Sequence, residues 1–126
     1  MTTTAAILIC IILGLLAIFQ LLLIAGLPLG RFAWGGQHEV LPSRLRIGSA
    51  VSIVLYAMFA FIVLEAAQLT SVITSATFVT VAMWVLTGYF ALGVLMNGIS
   101  RSKPERNLMT PVSLVLAGLC LIVAIG

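Results

Sequence analysis

A chain of 126 residues that is 63% hydrophobic and only 7% charged cannot solvate the surface of a globular domain, which ordinarily carries about a quarter charged side chains. Its formal charge of +3 comes from six basic and three acidic residues, and the basic ones occupy short stretches between long apolar runs. That pattern encodes membrane topology and excludes a nucleic-acid reading, and at this length one domain in lipid is the limit.

The first apolar segment, Ala5–Leu29, follows Met1-Thr2-Thr3-Thr4. It lacks the basic n-region of a signal peptide and exceeds an h-region of about 7–15 residues, so it reads as a retained helix. Pro28 and Gly30 are expected to end it, because proline breaks the hydrogen-bond ladder and glycine accepts a left-handed cap. Gln20 lies past its middle, where an amide is expected to bond across helices, a contact worth about 0.6 kcal/mol on average.

The first loop, 30–46, is not a generic linker. Phe32 and Trp34 suit a headgroup layer, and Gly35-Gly36 permits a sharp turn. His38 is the chain's one imidazole, and Glu39 accepts hydrogen bonds or a cation. One histidine and one glutamate are too few for a metal site.

The second segment, Ile47–Gln68, follows Pro42-Ser43 and holds Tyr56 and, near its far end, Glu65. Glu65 is the only acid inside an apolar run. Such a group is a functional candidate because burying its charge is costly, although this position also lets it reach the headgroups. A tight turn is expected over 68–71. The third segment, Val72–Asn97, carries a polar and small stripe at Thr77, Thr80, Trp84, Thr87 and Ala91. The second loop, 98–110, contains Arg101, Lys103, Glu105 and Arg106, and Glu105 is expected to pair with a basic group of the first loop. Thr110-Pro111 reads as N-cap and N1 of the last segment, Pro111–Gly126.

These segments predict an all-α, antiparallel four-helix transmembrane bundle. Arg31, Arg44 and Arg46 lie in the first loop, and Arg101, Lys103 and Arg106 in the second. With four crossings both loops share one side. The positive-inside rule makes that side cytoplasmic, gives an N-out/C-out chain and argues against dual topology. Small residues should let helices approach closely. On the first helix these are Cys10, Gly14, Ala17, Ala25 and Pro28; on the second Ser49, Ser52 and Tyr56; on the fourth Ser113, Ala117, Cys120 and Ala124. Cys10 and Cys120 are expected at similar depth on neighbouring helices, as packing residues without a disulfide framework or zinc site.

The strings LPLGRFAWGGQHEVLPSRLRIGS (27–49) and SRSKPER followed by TP (100–111) resemble a set of small bacterial four-helix membrane proteins. The resemblance covers most of the chain, carries no activity, and implies a bacterial inner membrane. Small multidrug-resistance transporters place a glutamate within the first helix, whereas that helix here has only Gln20.

No Ser-His-Asp arrangement, paired carboxylates, phosphate-cradling glycine motif or haem ligand pair is visible, so no catalytic residue, metal or cofactor is assigned. The first functional expectation is a non-enzymatic module whose six basic loop residues engage anionic lipid or a partner protein. The second is a small homo-oligomeric transporter or channel using Gln20 and Glu65, with Tyr56, Thr80 and Thr87 as further polar groups. The third is an enzyme acting on lipid headgroups through His38 and nearby arginines.

Overall fold

The computed structural model describes residues 1–126 and is all-helical. Four helices, α1 (Thr2–Ile24), α2 (Ser43–Ala66), α3 (Ala76–Gly98) and α4 (Lys103–Ile125), are each long and apolar enough to cross a bilayer. At about 1.5 Å per residue, their 23 or 24 residues reach beyond a hydrocarbon core of about 30 Å. Consecutive helices run antiparallel, and α4 returns to α1, closing a ring. Only 20 of 126 residues are buried, and the exterior is built from side chains such as Leu15, Val54, Phe78 and Leu92, so acyl chains are the surroundings this surface fits. The protein is a multi-pass membrane bundle. All six basic residues lie at one end, the basic end: Arg31 and Arg101 are in the connections, while Arg44 and Arg46 fall in the first turn of α2, which starts at Ser43 and not at Ile47, and Lys103 and Arg106 in the first turn of α4. The chain termini lie at the other, the terminal end.

The core lies toward the terminal end. Ile9 and Leu13 of α1, Val63 of α2, Met83 and Leu86 of α3, and Leu116 and Cys120 of α4 interlock there. Gly126 comes up against Thr2, which closes α4 onto α1. In lipid, such packing is held by dispersion contacts, because the hydrophobic effect gives no preference between a neighbouring helix and an acyl chain.

Several expected boundaries and faces differ from those observed. α1 stops at Ile24, not at Pro28. Gly26, at φ 94°, is its left-handed cap, with the Leu27 amide donating to the Leu22 carbonyl at 3.1 Å. α2 ends likewise at Ala66, with Gln68, φ 62°, as the left-handed residue beyond it and Leu69 donating to Leu64. A longer connection then runs to Ser75, whose hydroxyl accepts from the Phe78 amide at the start of α3. α4 begins at Lys103, so Thr110-Pro111 lies inside the helix and starts nothing.

The α1 interface uses Ala6, Ile9, Leu13, Gln20 and Leu23, while Gly14 has open space beside it. On α3 only Thr87 of the expected stripe is buried; Thr77, Thr80, Trp84 and Ala91 are exposed, and Met83, Leu86 and Phe90 face inward. The expected α4 face is closer to the mark. Cys120 is in the core, and Ala117 and Ala124 pack against it. Both cysteines are free, and Cys10 is only half-buried.

Candidate functional site

The basic end is organised by the first loop folding down onto the helices. It makes two short 3-10 turns, Gly30–Phe32 and Trp34–Gly36. Trp34 (φ 52°), Gly35 (φ 76°) and Gly36 (φ 70°) form a left-handed run, which is costly for the tryptophan and must be held by its contacts. The holds are visible. The Trp34 indole N–H donates to Ser49 Oγ at 3.3 Å, and its ring lies against Gly48. Trp34 therefore turns toward α2, and its polar edge is directed at a helix instead of a headgroup.

Glu105 does tie the two loops together, but not through a basic side chain. Its Oε2 accepts from the Gly35 amide at 2.9 Å, and the residue is 8% exposed. Ser102 Oγ donates to the Arg31 carbonyl, giving a second link between the same segments. Ser102 is the N-cap of α4 and Glu105 stands three residues on, so the carboxylate also sits in the favourable first turn of the helix.

The basic residues divide into two sets. Arg46 Nε donates to the Leu41 carbonyl at 2.8 Å, and its guanidinium lies beside Gly26 where α1 ends, a position that suits the negative end of the helix dipole. Arg106 donates to the Ser100 carbonyl, and Arg31 sits 5.0 Å from the Phe32 ring centre. Arg44, Arg101 and Lys103 are exposed without such a contact, and Arg31 is exposed beside its ring. Glu39 is exposed too, with its carbonyl accepting from the Gly30 amide, and His38 is half-buried with its carbonyl crowding Gly30.

Beneath this cap is a cavity of about 430 Å³, reached by all four helices and the loop. Its walls are mostly apolar and aromatic, including Phe19, Phe32, Trp34, Tyr56, Tyr89 and Phe90. Its polar groups are Gln20, Asn97, Glu105, Ser113 and the two tyrosine hydroxyls. Asn97 Nδ2 donates to Ser113 Oγ at 2.9 Å and to the Gly93 carbonyl at 2.8 Å, which seals α3 to α4. Gln20 is 7% exposed, and its Oε1 is buried without a donor. Sequence reasoning placed Gln20 inside the bilayer but gave no sign that Phe32 and Trp34 would line the same cavity.

Glu65 is at the opposite end, 7% exposed, beside a second cavity of about 570 Å³ that Thr80 also lines. Its Oε1 accepts from the Val72 amide at 2.7 Å and the Ile73 amide at 3.3 Å, so its visible work is to fasten the connection before α3. Gln20 and Glu65 share no cavity, and the core stands between them. Thr87 donates within its own helix, to the Met83 carbonyl at 2.9 Å. Glu65→Gln keeps an oxygen acceptor and is expected to leave thermal unfolding in detergent nearly unchanged. Glu65→Ala strands two amides and should destabilise by about 1–3 kcal/mol, with faster hydrogen exchange at Val72 and Ile73.

Comparison with known proteins gives no significant match to a family model, a curated protein or a solved structure. What the fold and the basic end define is therefore a class: a four-helix membrane bundle with a folded, basic cap over an amphipathic cavity.

Proposed function

We propose that this protein is a non-enzymatic module of a bacterial inner membrane, with both termini outside, whose basic cytoplasmic face engages anionic lipid headgroups. One observation carries the reading. At the basic end the recorded partners of the cationic side chains are carbonyls and an aromatic ring, while Glu105 is turned inward onto Gly35. The outer surface of the cap keeps Arg31, Arg44, Arg101 and Lys103 exposed, with Glu39 as the exposed acid. Arginine and lysine near such a membrane surface each contribute about 1 kcal/mol toward anionic lipid.

The test replaces Arg44, Arg101 and Lys103 together with glutamine and measures retention of phosphatidylglycerol by native mass spectrometry. Arg46 is left alone because it braces the end of α1. Retention should fall by up to about a hundredfold at low salt. Retention equal to wild type, with unchanged thermal unfolding, would discard the lipid reading and leave a partner protein as the ligand of the cap.

A second reading, a small transporter, is supported by the two cavities that approach one core from opposite ends, with Gln20 at one and Glu65 at the other. It expects a homo-oligomer and flux in liposomes that Glu65→Gln abolishes.

A further inference from the structure

We propose that the cavity at the basic end binds one neutral amphiphile, with a hydroxyl head beside Gln20 and an apolar tail lying between α1 and α4. The first ground is the Gln20 amide. It is 7% exposed, it lines the cavity, and its Oε1 is buried without a donor. The Tyr56 hydroxyl lies against the same amide but leaves Oε1 unmatched, and since buried acceptors are almost always matched in folded proteins, this one calls for a ligand that donates a hydrogen bond.

The second ground is the company Gln20 keeps. The side chains around it that can take part in polar contacts are the Tyr56 and Tyr89 hydroxyls, the Asn97–Ser113 pair and the Glu105 carboxylate. No lysine or arginine lines the cavity. A phosphate or carboxylate head would bring only acceptors to Gln20 and would face Glu105 with nothing to neutralise it. A cationic head would find only Glu105, whose carboxylate already accepts the Gly35 amide, beneath a cap that carries six positive side chains. A hydroxyl avoids both penalties, because it donates to Gln20 and accepts from a tyrosine.

The third ground is a route and a place for the tail. An apolar furrow of about 370 Å³ runs between α1 and α4 and shares Leu16, Phe19, Met109 and Val112 with the cavity. It continues along Ile12 and Val115. The head would thus be reached from within the bilayer, without crossing the charged cap. A cavity of this size, mostly apolar with a few placed polar groups, is what small-molecule sites look like.

The test uses the full-length protein in an amine-oxide detergent, whose head accepts but cannot donate. Dodecanol, dodecylammonium and dodecyl phosphate, which share one tail, are offered separately, and retention is read by native mass spectrometry. Wild type should hold one dodecanol, about tenfold better than either charged analogue. Gln20→Leu should lose that preference, and Leu16→Trp, which plugs the junction of cavity and furrow, should lose dodecanol altogether. The Arg44, Arg101 and Lys103 replacements should leave dodecanol retention intact, which separates this site from the cap. Equal retention of all three compounds by wild type overturns the proposal. So does undiminished dodecanol retention in either of the folded Gln20→Leu and Leu16→Trp proteins; if one variant does not fold, the other decides.

Discussion

Replacing Gly30 with alanine is expected to unfold the first loop while the four helices stay in place. A methyl group at this position would run into the His38 carbonyl and approach the Glu39 carbonyl to 2.8 Å. Both obstacles are backbone, so no side-chain rotation relieves them. The Gly30 amide also donates to that Glu39 carbonyl at 2.8 Å, so separating the strands of the loop breaks the bond that closes it. Overpacking of this kind costs about 1–3 kcal/mol, and it falls on a segment with little else to hold it. The measurement is trypsin cleavage after Arg31, which should become much faster while helical circular dichroism is unchanged. Gly35→Ala is the control. Its φ is 76°, but open space surrounds it, so only the left-handed strain of about 1–2 kcal/mol applies. Equal resistance to trypsin in wild type and Gly30→Ala would show that the loop is not fastened at this crossing.

Glu105→Ala is expected to release the same loop from the other side. The carboxylate accepts the Gly35 amide and occupies the first turn of α4. Losing a hydrogen bond to a charged group costs about 1.5–3 kcal/mol, and losing the favourable helix-end charge adds up to about 1 kcal/mol. Glu105→Gln keeps an acceptor oxygen without the charge. Thermal unfolding temperatures in detergent should therefore fall in the order wild type, glutamine, alanine. Trp34 emission should shift to the red in the alanine variant as its ring leaves Gly48 and Ser49. If the alanine variant kept both the wild-type unfolding temperature and emission, the link would be ornamental.

The helices were legible in the sequence because lipid imposes a simple demand: long apolar runs, each bonding its own backbone. Their number and antiparallel order follow from that alone. Their inward faces did not follow. Where the exterior is as oily as the interior, hydrophobic periodicity does not mark the buried side, and the small-residue stripes chosen on α1 and α3 proved to be mostly exposed. The start of α4 was legible but missed. Ser102-Lys103-Pro104-Glu105 has the spacing of a capping box with proline in the first turn, a true start signal. Thr110-Pro111 imitated one eight residues further on only because the charges in that stretch look like a loop. The side chains of that box are then redirected, Ser102 to Arg31 and Glu105 to Gly35, and no local rule foretells this long-range use. The cavity was out of reach for the same reason: part of its wall is the returning loop, through Phe32, Ala33 and Trp34.

Pro111 gives the last helix a mechanical division. It has no amide hydrogen, so the rung that would join it to Asn107 is missing. On one side of that gap, α4 is bolted through Ser102 and Glu105 to the 30–36 loop; on the other, Leu116, Cys120 and Val123 belong to the tight core. The bundle thus behaves as a firm base carrying a clasp on a softened stem, and the clasp can loosen without disturbing the base. Heat or denaturant should accordingly undo the molecule in two stages, the clasp first.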